Sequence, residues 1–202
     1  MRIRQVFFLN FLVAILVILF FILRLPFIKK YKLNYISKIK LDSGAERIDL
    51  ILALICMITW VILPLCWSLG LISIAQIQLP AFLKLIGLIS MTSGVTLTYY
   101  AHKHLDLNWS AVAEIRSGHS LVTNGVYRYI RHPMYSAFFL LVIGILLATS
   151  NLFVGPLALT ACAILYANRV SKEETMLLSE FGDEYLVYSK STGRLIPKIR
   201  II

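Results

Sequence analysis

The 202-residue sequence predicts an all-α fold: a polytopic membrane helical bundle with about five transmembrane helices and a C-terminal cytoplasmic helix. Three observations lead there. Hydrophobic residues make up 59% of the chain and charged ones 15%, and a mean hydropathy of +0.80 lies far outside that of ordinary soluble domains. Apolar stretches at about 5–25, 47–69, 80–101 and 134–168 reach the roughly 20 residues that a helix needs to cross about 30 Å of hydrocarbon. Lysine and arginine are also distributed unevenly between the connections.

The first stretch follows Arg2 and Arg4, as a leader peptide would, but its run from Val6 to Leu23 is long for a leader. It is followed by Arg24-Leu25-Pro26-Phe27 rather than a small-residue cleavage pattern, so a retained helix is expected. Segment 29–46 mixes basic residues with Tyr31, Leu33, Tyr35, Ile36, Ile39 and Leu41, the composition of an interfacial helix or ordered loop on the membrane surface. Pro64 in the second helix, and Gly87 and Gly94 in the third, are expected to serve helix packing. The fourth stretch is too long for one crossing. Ser150-Asn151 and Gly155-Pro156 near its middle supply turn residues, so it reads as a hairpin of two short helices.

Of 20 Lys and Arg, six lie between the first two helices, four in segment 102–133 and six after Asn168, whereas the connections near 70–79 and 149–151 hold none. By the positive-inside rule this places the basic loops and the C-terminus in the cytoplasm and the N-terminus outside. Anionic headgroups account for the net charge of +10, and no base-reading helix or RNA-type aromatic motif points to nucleic acid. Cys56, Cys66 and Cys162 all fall in apolar segments without metal-ligand spacing, so they read as packing residues and no metal site is expected. The chain divides into N-terminal membrane helices with a basic loop (1–101) and a chemistry-bearing region (102–202).

From His102 hydropathy falls for about thirty residues, and so long a connection between short helices needs a reason. A second polar block, Arg169 to Tyr188, follows the hairpin and faces the same compartment. Pro133 suits the first position of a helix, which would set Arg131 and His132 at its mouth. There they could bind an anionic group, or Arg131 and Tyr135 could simply anchor the helix at the interface. Arg169 and Glu173, four apart, would share a helix face, either as a bland ion pair or as a substrate-binding arginine beside a cofactor-binding carboxylate. Glu174 points about 100° away and is the weaker candidate. No G-x-S-x-G, H-E-x-x-H, P-loop or G-x-G-x-x-G is present, which removes the common hydrolase and nucleotide-binding signatures.

Two blocks carry a resemblance. One is H-x-L-V-x-x-G-x-Y-x-x-x-R-H-P-x-Y, found as His119, Leu121, Val122, Gly125, Tyr127, Arg131, His132, Pro133 and Tyr135. The other is Arg169 and Glu173 followed by Phe181-Gly182-Asp183-Glu184-Tyr185. In this order around a hairpin they resemble the isoprenylcysteine carboxyl methyltransferase family of integral membrane enzymes. The resemblance implies an S-adenosylmethionine pocket built by both blocks, with a lipid-side tunnel for a prenyl chain. His119, Ser120, Leu121, Val122, Tyr127, His132, Pro133, Met134 and Tyr135 would line the cofactor, Glu173 would bind it, and Arg169 would engage a substrate carboxylate. Family members in eukaryotes usually have more crossings, and Trp109 and Val112 stand ahead of His119 where polar cofactor contacts are expected.

The implied function is carboxyl O-methylation of an isoprenylated cysteine or similar lipid-linked carboxylate, at the cytoplasmic face of the cell membrane. A phospholipid amine N-methyltransferase is the second enzymatic reading, and a non-catalytic membrane scaffold or transporter subunit is the third.

Overall fold

The computed structural model describes residues 2–35, 44–109 and 120–198, with the side chains of 7–30, 47–109 and 120–198. Five helical rods run up and down between two ends of the molecule. Helix α1 spans Arg2–Tyr35. The second rod consists of α2 (Gly44–Met57), one π turn (Ile58–Ile62) and α3 (Leu63–Ser68). Helix α4 covers Ala81–Leu105, α5 Pro133–Thr149 and α6 Val154–Ser191. Short 3-10 turns at Asp106–Asn108 and Gly125–Arg128 lie in the long connection after α4.

Two helices run further than hydropathy alone indicates. Helix α1 continues past Pro26 to Tyr35, because the lysines and aliphatic residues that end the apolar run are themselves good helix formers. The rest of the predicted interfacial segment, 36–43, lies outside the described residues. The fifth apolar segment and the expected separate C-terminal helix are one continuous α6, since no breaker falls between Asn168 and Phe181. Its single interruption is Gly182, whose φ of 51° and ψ of −124° bend the helix near its end. That backbone conformation strains any residue with a Cβ.

The π turn has a local cause. Pro64 has no N–H to offer the carbonyl four residues back, and the Leu63 N–H instead reaches the Ile58 carbonyl five residues back. Helices α4 and α5 approach closely because glycines face each other. A Cβ at Gly94 would stand 2.7 Å from the Ala137 carbonyl oxygen, and one at Gly144 would stand 2.6 Å from the Gly87 oxygen and 2.7 Å from the Met91 nitrogen. Small residues at such crossings are how membrane helices gain dispersion contact without a water-driven hydrophobic effect.

One apolar core draws on all five rods: Val13, Val17 and Phe20 from α1, Leu52, Cys56 and Trp60 from the second, Met91 and Val95 from α4, Leu141 and Ile145 from α5, and Ala158 and Cys162 from α6. Outward, α1, α2 and α4 expose Phe7, Phe11, Ile22, Ile51, Leu54, Phe82 and Ile89. A continuous apolar exterior of this kind suits lipid rather than water. Among the described residues three helical spans, Phe7–Lys30, Arg47–Ser68 and Ala81–Asn108, are long and apolar enough to cross a membrane. Helix α5, 17 residues and about 25 Å, is apolar but shorter.

The end of the bundle holding Ser68–Gln76 and Thr149–Asn151 is closed by a polar knot. Gln76 pairs with Asn151 in an isolated bridge, and the Gln76 Nε2 donates to the Thr149 carbonyl at 2.7 Å. The Asn151 Oδ1 accepts from the Phe153 and Val154 N–H groups, both at 2.9 Å, which satisfies orphan donors at the start of α6. With α5 and α6 pinned here, their other ends meet across the polar blocks.

Candidate active site

At the opposite end, the chain entering α5 and the chain leaving α6 are fastened together. Ile130 and Gly193 form a parallel bridge. The Arg131 N–H donates to the Gly193 carbonyl at 2.8 Å and the His132 N–H to the Arg194 carbonyl at 3.1 Å. Arg131 Nη1 donates to the Ser189 and Thr192 carbonyls, both at 2.6 Å, and Ser136 Oγ donates to the Leu195 carbonyl at 2.5 Å. Thus Arg131 closes the C-terminal end of α6, a role that neither of its sequence-based readings included.

The seam brings four of the predicted residues together. Glu173 accepts a 2.7 Å hydrogen bond from the Tyr135 hydroxyl. His132 Nδ1 lies 3.7 Å from the Glu173 carboxylate, and Arg169 Nε lies 3.6 Å from it across one helical turn. His132 and Tyr135 are buried, and Pro133 occupies the start of α5 as its missing N–H allows. Met134 packs against the core from the next position.

The other predicted residues are placed less directly. His119 lies outside the described residues, as does Val112. Ser120 is exposed and tied to the 3-10 turn after α4, its N–H donating to Asn108 Oδ1 at 2.9 Å. Leu121 and Val122 follow it, half-buried. Tyr127 is buried, its carbonyl accepting a 2.7 Å bond from the Tyr188 hydroxyl while its own hydroxyl donates to the Ala101 carbonyl at 3.4 Å. Burial raises the Tyr127 phenol above its usual range. That tyrosine therefore holds α4 against α6. Gly125 beside it adopts a φ of 56°, and a Cβ there would run into the His104 ring, so both backbone and packing require glycine.

Sequence reasoning ranked Glu174 low because it leaves the Arg169 face. It does leave that face, and on its own face it meets His132 Nε2 at 3.2 Å, Arg131 Nε at 3.4 Å and Arg194 Nε at 3.0 Å. Burial pushes this carboxyl up, but the bonds from His132 and Arg194 outweigh burial and hold it down at about 2. Asp49 was also missed. It is buried at the start of the second rod, 3.9 Å from Arg169 Nε. An acid at the head of an apolar helix was the available signal.

The two adjacent glutamates thus differ in what they have left to offer. Glu174 is surrounded by donors. Glu173 has one short bond, two longer ion contacts and a partly open side chain, so a carboxylate with about four lone-pair positions keeps accepting capacity for a ligand.

The family model described as the isoprenylcysteine carboxyl methyltransferase family matches residues 85–179, which contain most of α4, all of α5 and the Arg169–Glu173 turn. The chain is 37% identical over 98 residues to protein-S-isoprenylcysteine O-methyltransferase of Tribolium castaneum, covering 46% of this chain and 34% of that one. Against the Homo sapiens enzyme of the same name it is 33% identical over 122 residues, 59% of this chain and 43% of the relative. The solved structure of the eukaryotic intramembrane Ras methyltransferase, isoprenylcysteine carboxyl methyltransferase, matches 84% of this chain and 60% of its own. The TM-score of that match is 0.54 and the identity 27%. The sequence and structural comparisons thus agree in likening this chain to isoprenylcysteine carboxyl methyltransferases, with the family match carried by residues 85–179. It spans about a third to under half of the length of the curated isoprenylcysteine methyltransferases that it matches. Within the family match lie His132, Tyr135, Arg169 and Glu173, whereas Asp49 and the whole of α1 fall ahead of it.

Proposed function

We propose that this chain is an S-adenosylmethionine-dependent carboxyl O-methyltransferase acting on an isoprenylated cysteine or a similar lipid-linked carboxylate. The observation that carries the proposal is the Arg169–Glu173 turn of α6, packed against His132 and Tyr135 of α5 at one end of a lipid-facing bundle. Similarity to isoprenylcysteine carboxyl methyltransferases over residues 85–179 supports the same chemistry.

The residues present fit the cofactor. Glu173 is a half-open carboxylate with spare acceptor positions, suited to the ammonium or hydroxyls of S-adenosylmethionine. Ser120, Leu121 and Val122 and the buried faces of His132, Pro133 and Tyr135 would complete the lining, with Met134 beside them and His119 as a further contact. Bound there, S-adenosylmethionine supplies an electrophilic methyl group on a sulfonium. A carboxylate is already ionised at neutral pH, so the protein needs no general base for this transfer. Its tasks are to orient the anion, which falls to Arg169, and to exclude water from the two reactants. The apolar chain of the substrate stays in lipid, which accounts for placing the reaction in a membrane protein.

In this reading all five rods cross the bilayer, with α5 and the first half of α6 as a short hairpin, and the site lies at the cytoplasmic face of the cell membrane. The concentration of lysine and arginine at that end supports the orientation. An arginine that holds the acceptor disfavours an amine substrate, since like charges would be brought together.

The test is incubation of purified protein with methyl-labelled S-adenosylmethionine and separate prenylcysteine, fatty acid and phospholipid acceptors, followed by alkali. Label released as methanol from the prenylcysteine product is the expected result. Label that enters a phospholipid amine and survives alkali would establish the N-methyl reading instead. A folded protein that fails to bind S-adenosylmethionine would leave the scaffold reading.

A further inference from the structure

Arg24 is a cation inside the membrane span Phe7–Lys30. It lies on α1, ahead of the part of the chain that matches the family model, and sequence reasoning gave it no role beyond marking the end of an apolar run. An arginine near the end of a membrane helix ordinarily extends its stem outward to reach headgroups. This one turns inward. Its guanidinium carbon sits 5.1 Å from the centre of the Phe138 ring on α5 and 5.3 Å from that of Phe20.

Its Nε is buried, and among the described residues it has no hydrogen-bond partner and Arg24 has no ion pair. The rings attract the cation but accept none of its N–H bonds in the way that an oxygen would. Lys30, about 9 Å further along the helix, is already paired with Asp106 at 2.5 Å.

The direction in which Arg24 turns is towards the Arg169 site. Phe138 packs edge-on against Tyr135, ring centres 6.2 Å apart, and Tyr135 is the residue whose hydroxyl bonds Glu173. Arg24 thus stands at one end of a run of contacts, Phe138, Tyr135 and Glu173, whose other end is Arg169. Arg169 Nε is itself buried without a hydrogen bond, as its contacts with Asp49 and Glu173, at 3.9 and 3.6 Å, are long ion contacts. Two arginines on different helices thus each hold a buried Nε whose donor is unfilled. A low-dielectric setting makes that arrangement costly until an anion enters between them.

We propose that Arg24 is a second carboxylate-binding residue, forming with Arg169 a two-guanidinium clamp for the lipid-linked carboxylate at the membrane-embedded side of the site. This rests on the carboxyl methyltransferase reading. Arg169 alone is partly neutralised by Asp49 and Glu173, whereas Arg24 brings N–H donors and a positive charge that no acid among the described residues pairs. The clamp also explains how the first helix, outside the family match, takes part in choosing an anionic acceptor.

The test compares wild type with Arg24→Met, which removes the charge from an apolar helix at similar length, and with Arg24→Lys. Each is assayed for methyl transfer to an S-prenylcysteine, with KM and kcat separated, and for S-adenosylmethionine affinity by calorimetry. The expected result is a KM for the prenylcysteine at least tenfold higher in Arg24→Met, partial recovery in Arg24→Lys, and cofactor affinity within twofold of wild type in both. A prenylcysteine KM within twofold of wild type in Arg24→Met would overturn the clamp while leaving the methyltransferase reading intact. Absence of carboxyl methylation by the wild type would instead overturn the reading on which the clamp rests. As a check on the unaltered protein, the prenylcysteine carboxamide should compete at least tenfold less well than the carboxylate, and equal competition would also refute the clamp.

Discussion

Replacing Glu174 with Gln separates a residue that holds the site together from one that serves it. In the folded protein Glu174 receives Arg131, His132 and Arg194, with two bonds from Arg194 alone. The amide keeps the shape and loses the charge. Hydrogen bonds to charged groups contribute about 1.5–3 kcal/mol each, but Arg194 is 51% exposed, so solvent screens its share. Arg131 also keeps its bonds to the Ser189 and Thr192 carbonyls. A net loss of about 2 kcal/mol is expected, equivalent to about 4–8 °C in melting temperature for a chain of this size.

The pH dependence gives a second signature of the same carboxylate. The folded state holds Glu174 at about 2, below its ordinary 4.5. Its contribution is therefore complete above the ordinary value and is lost as pH falls from there towards 2. Melting followed by intrinsic fluorescence in detergent, from pH 6 down to the lowest pH at which the protein stays soluble, should show a steeper decline for wild type than for Glu174→Gln. The two curves should converge at the acid end. A variant that melts within about 1 °C of wild type at neutral pH, or parallel acid curves, would refute the assignment of Glu174 as the fastening carboxylate.

Two further predictions concern the scaffold that positions the site. Gly144→Ala drives a methyl group into the backbone of α4 at Gly87 and Met91, atoms that cannot rotate away, and should cost about 1–3 kcal/mol. A lowered melting temperature in the same detergent would show it, and unchanged stability would mean that α4 and α5 are not in such close contact. Asn151→Ala removes the acceptor for two N–H groups at the start of α6 and the donor to the Ile74 carbonyl. It should destabilise by about 1–2 kcal/mol, with faster amide exchange at Phe153 and Val154 as the local readout.

Much of this molecule is legible in its sequence because lipid imposes simple length and polarity rules. The hairpin was visible from Ser150-Asn151, and the shared face of Arg169 and Glu173 followed from a four-residue spacing. Hydropathy failed where helices outlast their apolar runs. Lys29–Tyr35 and Asn168–Glu174 are polar yet helical, because polarity changes what a helix faces and not whether it forms.

The contacts that escaped prediction depend on which distant segments meet. That Arg131 would bond carbonyls at Ser189 and Thr192, or that Glu174 would find Arg194 twenty residues on, is a consequence of the seam between the two blocks. No local spacing encodes it. Asp49 and Arg24 were overlooked for a related reason: each is a charge at the edge of an apolar stretch, and its meaning lies in the helix packed against it.

The division of labour proposed for Arg169 and Glu173 is tested most directly by measuring cofactor affinity and methyl transfer on the same preparations of Glu173→Gln, Arg169→Ala and wild type. Calorimetry should show S-adenosylmethionine bound about 10–100-fold more weakly by Glu173→Gln, the equivalent of one charge-assisted hydrogen bond. Arg169→Ala should bind it as wild type does and transfer no measurable methyl to a prenylcysteine. Equal loss of cofactor affinity in both variants, or full transfer by Arg169→Ala, would contradict a site in which α6 holds the methyl donor with one side chain and the lipid carboxylate with the other.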